Sequence, residues 1–332
     1  MNPYRRLCIM LSLMVLAGAG LLSLRPAPAR AAGPWYVAPG GNDSNSCSSV
    51  GTPCATINGA IGKASSGDIV YVAIGTYTSS TGSEVVLIDK SVTLSGGWEA
   101  GFTTQGGMST VDGERARRGM TVNSGVTVTV DRFSIRNGAT DQVGGGLYIL
   151  QSTVTINSSS INNNTGGGIN ISGGTVTLNN SGINSNIGTG IQNSTGTLTL
   201  NNSTISGNTA SDGAVFLYLG TTKLNSSTIS NNTGGINAPY SAAVTLKNSI
   251  LAGNTEYDCS THGINSAGYN LIGNTSGCNF TASTGDLTNV NPNLGPLVGV
   301  PAYHPLLSGS PAVDAGHPSG CADDLGNPLP TD

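Results

Sequence analysis

The chain is 332 residues long, only 9% of its residues are charged, and it contains 49 glycines and 15 prolines. Because ordinary soluble domains are about 25% charged, a conventional α/β enzyme, a coiled coil and a helical membrane protein are all poorly compatible with this composition. Glycine and proline together remain below the ~25–30% that indicates aperiodic disorder, so we expect a folded architecture built from small, uncharged residues.

Residues 1–31 have the layout of a secretory signal peptide. Arg5 and Arg6 precede an apolar run over residues 7–24, and a Pro/Ala segment then ends in Ala29-Arg30-Ala31. A basic start, an apolar middle and a small-x-small exit are typical of such signals. A retained membrane anchor is the alternative, because the run is close to the length of a membrane span.

Cleavage near residue 31 would leave nine basic and 17 acidic residues, a net charge of about −8, and no transmembrane segment in the mature chain. This charge disfavours a nucleic-acid partner. We therefore predict a secreted, extracellular or cell-surface protein.

Five cysteines follow residue 31, and close pairs in an oxidising compartment predict disulfides. We predict that Cys47 bonds to Cys54, that Cys259 bonds to Cys278, and that Cys321 is free. A zinc site is the alternative, but the sequence has no C-x-x-C pair and no clustered histidines. No metal centre is therefore predicted.

Residues 32–67 form a predicted N-terminal region of loop and helix. The segment 41–44 (GNDS) has polar side chains that suit a calcium loop, with a Cys-closed surface loop as the alternative. No other cofactor is predicted. From Thr56 to Ala64, apolar residues recur at helical spacing. An amphipathic helix here would cap the apolar end of the domain that follows.

An internal repeat dominates residues 68–255, and such a repeat decides the fold before any single motif does. Six segments superimpose at spacings of 22 to 26 residues: 130–138, 156–164, 178–186, 200–208, 224–232 and 246–254. Alternating apolar residues, interrupted by Gly and Asn clusters, predict three short strands and three turns per unit. The sequence therefore predicts an all-β fold, a right-handed, single-stranded parallel β-helix.

Two other repeat architectures have related periods. A leucine-rich repeat needs a helical or 3₁₀ segment in each unit, but the intervening stretches here consist of Gly, Thr, Ser and Asn, which are poor helix formers. A propeller blade needs ~40 residues or more. Both are therefore disfavoured.

One position of the repeat is an asparagine in five consecutive units. The residues are Asn164, Asn186, Asn208, Asn232 and Asn254. Amides stacked at one coil spacing can donate to one another and satisfy the polar groups of a tight turn. We predict that this column is a structural ladder.

Alternation also predicts an outward row of aromatic and amide side chains. Leu147, Ile169 and Val215 take inward positions, so their neighbours point outward. The candidate ligand-binding residues are Tyr148, Asn170, Gln192, Phe216, Tyr218 and Tyr240. Aromatic rings flanked by amides suit stacking against a sugar. The alternatives are that the rings shield the sheet, or that a loop or a partner chain covers them.

Charged residues are nearly absent from the regular coils, since residues 142–255 contain only Asp212, Lys223 and Lys247. A polysaccharide lyase needs a base near the substrate and a cation that stabilises the developing charge. The only catalytic candidates, if the protein is an enzyme, are Asp112, Glu114, Asp131, Arg132 and Arg136. Solvated turns with local ion pairs are the alternative, and the catalytic residues remain unknown at this level.

Two terminal segments resemble known families. The start WYVAPGGNDSNSC, PCATINGAI and SGDIVYVAIGTYT resembles exported pectate-lyase-like β-helix proteins. The tail motifs YNLIGNTSGC, NPNLGPL, HPLLSGSPAVDAG and C-x-D-x-L-G-x-P resemble the choice-of-anchor C-terminal region of bacterial surface proteins. The resemblance implies a C-terminal capping region over residues 256–332. The sequence departs from the family pattern at residues 299–304, where the family usually has Gly-Gly before Thr-His.

The family pattern continues beyond the position of Asp332 to a further Cys, the natural partner of Cys321, so the resemblance implies a truncated cap. Proteins of this kind are exported β-helices without an established activity. We therefore expect a non-catalytic surface, adhesion or glycan-binding protein, whose partner is an extracellular polysaccharide or a cell-surface glycan. The alternative is a polysaccharide lyase or another carbohydrate-active enzyme acting on an extracellular polymer.

Overall fold

The computed structural model describes residues 33–240, 242–320 and 327–328. The predicted signal peptide and Cys321 lie outside these residues. The described part contains one helix, α1 (Ile57–Lys63). Its strands are, in chain order, β1 (Trp35–Val37), β2 (Ile69–Ala73), β3 (Thr76–Tyr77), β4 (Glu84–Ile88), β5 (Thr93–Trp98), β6 (Ser109–Asp112), β7 (Arg118–Val122), β8 (Thr127–Asp131), β9 (Phe133–Arg136), β10 (Leu147–Asn157), β11 (Ser160–Asn162), β12 (Ile169–Asn179), β13 (Gly182–Asn184), β14 (Ile191–Asn193), β15 (Thr197–Asn201), β16 (Thr204–Ser206), β17 (Val215–Leu217), β18 (Thr221–Asn225), β19 (Thr228–Ser230), β20 (Gly234–Ala238), β21 (Ala243–Lys247), β22 (Ile250–Leu251), β23 (Tyr257–Ser266), β24 (Leu271–Ile272), β25 (Cys278–Phe280) and β26 (Leu287–Thr288).

These strands stack into three faces, and each strand pairs in parallel with the strand one coil above or below. Face A runs through β4, β7, the start of β10, the start of β12, β14, β17, β20 and the start of β23. Face B runs through β1, β2, β5, β8, the end of β10, the end of β12, β15, β18, β21 and the end of β23. Face C is a ten-stranded sheet from β3 to β26.

This pairing makes the fold an all-β parallel β-helix, as predicted from the repeat. The register advances by 22 residues per coil in the most regular part, where Leu147 pairs with Ile169 and Ile169 pairs with Ile191. Stacking continues past residue 255 through β23, β24 and β26, although the sequence periodicity fades there.

The interior is filled by columns of apolar side chains, one from each coil. The second apolar column of the repeat lies on face C and is fully buried at Ile135, Ile161, Ile183, Ile205, Ile229 and Leu251. Burial of each such side chain contributes roughly 1.5–3 kcal/mol. A single coil cannot bury this apolar surface by itself, so the coils are stable only when they are stacked.

Single residues with positive φ make the corners between the faces. Between faces B and C the φ angle is 46° at Ser158, 49° at Asn180, 45° at Asn202, 49° at Ser226 and 51° at Asn248. Asparagine tolerates this left-handed conformation better than most residues. The asparagine-rich composition of the repeat is therefore partly a requirement of its turns.

The N-terminal region closes one end of the stack. Helix α1 buries Ile57, Ala60 and Ile61 against the first coils, as predicted. The side chain of Thr56 accepts a hydrogen bond from Gly59 N–H at the helix start. At the helix end, Lys90 Nζ donates to the carbonyls of Ile61, Gly62 and Ala64 at 2.8–3.0 Å.

Both predicted disulfides are present, Cys47–Cys54 in the N-terminal loop and Cys259–Cys278 between β23 and β25. They fasten the two places where the regular repeat is lost. In the part of the chain that the structure describes, no helix is long and apolar enough to cross a membrane.

After β26 the chain continues as an irregular tail, residues 291–320, that folds back over face C. Its anchor is His304, which is buried and bonds through Nε2 to Ser206 Oγ at 2.9 Å and through Nδ1 to the Gly295 carbonyl at 2.8 Å. Since Nδ1 faces a carbonyl, it carries the proton, and Nε2 accepts from the serine hydroxyl. The tail therefore lies against the side of the β-helix rather than beyond its end.

Candidate functional site

The charged residues proposed for catalysis fall into two separate groups. In the first, Arg136 Nε bonds to Asp112 Oδ2 at 3.0 Å across the β6–β9 pair. Asn137 Nδ2 and Glu114 N–H also donate to the Asp112 carboxylate. Burial raises the pKa of Asp112, but these hydrogen bonds outweigh it and hold the pKa below its ordinary value. A carboxylate with this many donors is a structural acceptor and a weak base.

The second group lies at the opposite end of β9. Asp131 accepts a hydrogen bond from Gln105 Nε2 at 3.1 Å and faces Arg132 Nε at 4.0 Å. Burial raises the pKa of Asp131, and the Gln105 amide and the Arg132 charge offset this only in part. Among the described residues, no hydrogen bond or ion pair joins this group to Asp112, Glu114 or Arg136. The five candidates therefore do not form one constellation.

The loop considered for calcium uses its carboxylate to bind the residues that precede helix α1. Asp43 Oδ1 accepts from the N–H groups of Ala55 and Thr56 at 2.9 Å, and Oδ2 accepts from the Thr56 hydroxyl at 2.7 Å. Within residues 33–240, 242–320 and 327–328, no group of three or more His, Cys, Asp or Glu residues could hold a metal ion. Asp43 therefore holds the two residues that precede helix α1.

The asparagine column forms a continuous buried ladder. Each amide from Asn164 to Asn232 donates through Nδ2 to the Oδ1 of the next coil at 2.9 Å, and the same Oδ1 accepts the backbone N–H of the previous asparagine. The ladder ends at Asp258, whose Oδ1 accepts from both N–H and Nδ2 of Asn254. Burial raises the pKa of Asp258, although the Asn254 bonds lower it in part. These hydrogen bonds have the geometry of the ladder expected from the repeat.

A second ladder, of serines, was not predicted. Ser159, Ser181, Ser203, Ser227 and Ser249 are buried at the corner between faces B and C. In this column a backbone N–H donates to the hydroxyl of the next coil at 3.1–3.2 Å, as from Ser181 to Ser203. The repeat carries the signal, because a serine precedes the second apolar column by two residues in each of these units.

The predicted aromatic row brings three rings together at the end of face A, and we call Phe216, Tyr218 and Tyr240 the aromatic platform. The Tyr218 and Tyr240 rings stack at 5.3 Å between centroids, with 11° between their planes. Phe216 meets Tyr218 edge to face at 5.0 Å. Tyr218 is 42% and Tyr240 50% exposed. In the described residues, neither tyrosine hydroxyl makes a hydrogen bond, so both are available to a ligand.

The rest of the predicted row is less uniform than alternation implied. Asn170 occupies the predicted register between Tyr148 and Gln192, but it is only 3% exposed because the chain at Gly144 lies against it. Tyr148 is half-buried, with the Arg118 guanidinium 5.0 Å from its ring centre. Gln192 lines a shallow depression of about 230 Å³ beside Gln142 and Asp212.

A second aromatic cluster lies around the first coils of face B. Tyr36, Tyr71, Trp98 and Phe102 contact one another with ring centroids 4.8–5.8 Å apart. All four are half-buried, and the Trp98 indole N–H bonds to Ser95 Oγ. These rings pack on each other, and Phe102 brings the loop after β5 against them, so they cover this part of the sheet.

A cavity of about 470 Å³ lies between the tail and the corner of faces B and C. We call it the tail cleft. Asn180, Asn202, Ser226 and Asn248 line one side, and Tyr303 and Leu306 line the other. Sequence reasoning missed it because its two walls are over 50 residues apart along the chain.

No protein-family model matches the chain, and no curated protein matches its sequence. Among solved structures, the pectate lyase Pel9A aligns with a TM-score of 0.45 and 17% identity over 80% of this chain and 79% of its own. A rhamnogalacturonan lyase aligns with a TM-score of 0.25 and 14% identity over 72% and 68% of the two chains. The parallel β-helix fold itself rests on the strand pairing described above.

Proposed function

We propose that this protein is an exported, non-catalytic β-helix that binds an extracellular or cell-surface polysaccharide at the aromatic platform. The observation that carries the proposal is the pair Tyr218 and Tyr240, which are stacked and about half exposed, and whose hydroxyls make no hydrogen bond among the described residues. Exposed aromatic side chains with polar tips suit sugars, which have an apolar ring face and a hydroxyl rim.

The stacked geometry defines how a sugar would bind. Each tyrosine covers one face of the other, so a pyranose ring stacks on the outer face of Tyr240 or lies along the exposed ring edges. Gln192, in register with Phe216 one coil below, supplies an amide at the same surface. The site is therefore a shallow platform suited to a chain that lies across it, with no deep pocket for one sugar.

Charge favours a neutral polysaccharide. The mature chain carries about −8 net charge, and no Lys or Arg belongs to the platform. An acidic polymer would be repelled at long range by this net negative charge. Export is supported by the two disulfides, which persist in oxidising compartments.

The absence of catalysis is supported by the separation of the charged candidates. Asp112 is held as an acceptor by three neighbours, and Asp131 lies at the other end of β9. General acid–base chemistry needs groups within hydrogen-bond reach of one substrate. A lyase acting on an extracellular polymer is the alternative, and it is tested alongside binding.

The test is affinity electrophoresis of the mature protein in gels that contain a neutral glucan, xylan or mannan, or polygalacturonate. We expect retardation by at least one neutral polymer. Tyr218→Ala and Tyr240→Ala should each weaken it roughly fivefold, since aromatic stacking contributes about 1 kcal/mol. Ile187→Ala, an exposed side chain away from the platform, is the matched control.

Binding that is unchanged in both tyrosine variants would contradict the proposed site. The same proteins incubated with uronate polymers, and followed by the absorbance of unsaturated products, test the alternative. Activity that Asp112→Asn or Asp131→Asn abolishes would replace the non-catalytic proposal with a lyase.

A further inference from the structure

The tail cleft repeats one polar position along the β-helix axis. Asn180, Asn202, Ser226 and Asn248 occupy equivalent corners of four consecutive coils, about 4.8 Å apart. Asn202 Nδ2 donates to Asn180 Oδ1 at 2.9 Å, which fixes both amides in register. The wall is therefore a linear, evenly spaced array of hydrogen-bonding groups.

Several polar groups of the cleft have no hydrogen-bond partner in the described part of the chain. Among the described residues, Asn180 Nδ2, Asn202 Oδ1 and Thr228 Oγ1 make no hydrogen bond, although all three side chains line the cleft. They offer a ligand one donor amide, one acceptor and one hydroxyl that both donates and accepts. A ligand rich in hydroxyl groups matches this combination.

The opposite wall provides apolar surface. Tyr303 is 45% exposed and Leu306 41% exposed on the tail. Tyr269 lies at one end of the cleft and is held edge to face against His317, with 4.7 Å between ring centres. Polar groups on one wall and aromatic rings on the other are what the two surfaces of a sugar chain require.

Among the described residues, no Asp, Glu, Lys or Arg lines the cleft. Its one histidine, His304, uses both ring nitrogens for the Ser206 and Gly295 bonds. An anionic ligand would therefore meet no counter-charge, and a purely apolar ligand would leave the amides unsatisfied. The volume of about 470 Å³ lies within the range of small-ligand sites.

We propose that the tail cleft is a second binding site, for a short segment of a neutral, linear oligosaccharide lying along the β-helix axis. The site extends the carbohydrate-binding function proposed above and uses different residues from the aromatic platform. The tail completes it, since without residues 301–306 the corner would be an open polar surface.

The repeat itself makes room for the tail at one strand. Gly182 occupies a position that is Ser160, Thr204 or Thr228 on neighbouring coils. A Cβ at Gly182 would lie 3.2 Å from Ala302 N and 3.3 Å from Ala302 O. The glycine therefore allows the tail turn to approach face C closely enough to form the second wall.

The experiment is isothermal titration of the mature protein with hexasaccharides of β-linked glucose, xylose and mannose, and with hexagalacturonate as the acidic comparison. Thr228→Val removes one unpartnered hydroxyl with little change of shape. Thr245→Val, a half-buried strand position on face B outside the cleft, is its matched control. Tyr303→Ala removes the exposed ring of the other wall.

We expect at least one neutral hexasaccharide to bind and hexagalacturonate not to compete. Thr228→Val and Tyr303→Ala should each weaken binding about fivefold, the usual effect of losing one hydrogen bond or one stacking contact, while Thr245→Val has no effect. Tyr218→Ala with Tyr240→Ala should leave this component unchanged.

Three results would overturn the inference: no binding of any neutral hexasaccharide, binding that Thr228→Val and Tyr303→Ala leave unchanged, or binding that the platform variants abolish completely. The last result would leave the proposed function intact while removing the second site. If only the cleft variants, Thr228→Val and Tyr303→Ala, weaken hexasaccharide binding, the result would support the cleft as a binding site and contradict the aromatic platform as one.

Discussion

Replacing Asn186 by Ala removes the centre of the buried amide ladder. Asn186 is fully buried, and its Oδ1 accepts both N–H and Nδ2 of Asn164. Its own Nδ2 donates to the Ile161 carbonyl and to Asn208 Oδ1. The variant therefore leaves the Asn164 backbone N–H without an acceptor and takes one partner from the Asn164 amide, the Ile161 carbonyl and the Asn208 oxygen.

The expected cost follows from these losses. One buried backbone N–H without a partner costs about 1–3 kcal/mol, and the loss of the second Asn164 bond adds about 1 kcal/mol. We expect the free energy of unfolding to fall by roughly 2–4 kcal/mol. Asn186 and Asn208 are hydrogen-bonded to each other. Replacing both by Ala should therefore lower the free energy of unfolding by less than the sum of the two single replacements.

The measurement is denaturant unfolding of the oxidised mature protein, together with hydrogen exchange at the Asn164 amide. Asn265→Ala is the control, because Asn265 is exposed on β23 and its side chain makes no hydrogen bond in the described residues; its effect should stay within about 0.5 kcal/mol. Equal unfolding free energies for the two variants, with the Asn164 amide still protected, would refute the ladder argument.

Four further outcomes are expected. In the chain-entropy model, loss of the Cys47–Cys54 bond should lower the free energy of unfolding by about 2.5 kcal/mol, and loss of Cys259–Cys278 by about 3.3 kcal/mol. Denaturation of the two Cys→Ser double variants measures this, and an unchanged free energy of unfolding in either would contradict the model. Burial raises the pKa of Asp258 in the folded protein. The stability that Asp258 contributes is therefore full below its unfolded pKa of about 3.9 and is lost as pH rises through the raised native pKa. Asp258→Asn should abolish that part of the pH dependence of unfolding, and an unaltered pH profile would contradict this role of Asp258. Asp43→Ala should cost about 1–3 kcal/mol, because the Ala55 and Thr56 N–H groups lose their acceptor. Calcium should not shift the melting temperature of the wild type; a calcium shift that the variant loses would instead establish an ion site. Gly182→Thr should displace the tail at Ala302 and speed limited proteolysis within residues 291–306, whereas an unchanged cleavage rate would show that the tail does not depend on this contact.

The sequence predicted those features in which a contact repeats at one coil spacing. The fold, the inward apolar columns and the asparagine ladder all follow from residues 22 to 26 positions apart, because parallel stacking places equivalent positions next to each other. The meeting of Phe216, Tyr218 and Tyr240 was predictable for the same reason. The disulfides follow from short spacing within a chain that is predicted to be exported.

Features that depend on non-repeating segments could not be predicted from the sequence. Asn170 keeps its register, yet the chain at Gly144 covers it, and nothing in the alternation indicates that loop. Asp112 and Asp131 are close in sequence, but they and their hydrogen-bond partners lie at opposite ends of β9. The tail cleft needs contacts such as His304 with Ser206, between residues 98 positions apart.

The direction of the hydrogen bonds in the asparagine columns affects the electric field of the whole rod. From Asn164 to Asn232, each side-chain amide donates toward the C-terminal coils. In the column of Asn179, Asn201 and Asn225, each donates toward the N-terminal coils. Amide dipoles aligned in one column would add up along the axis as they do in a helix. Here the opposed columns largely cancel, so coils can be added by duplication of a unit without building up opposite partial charges at the two ends of the molecule.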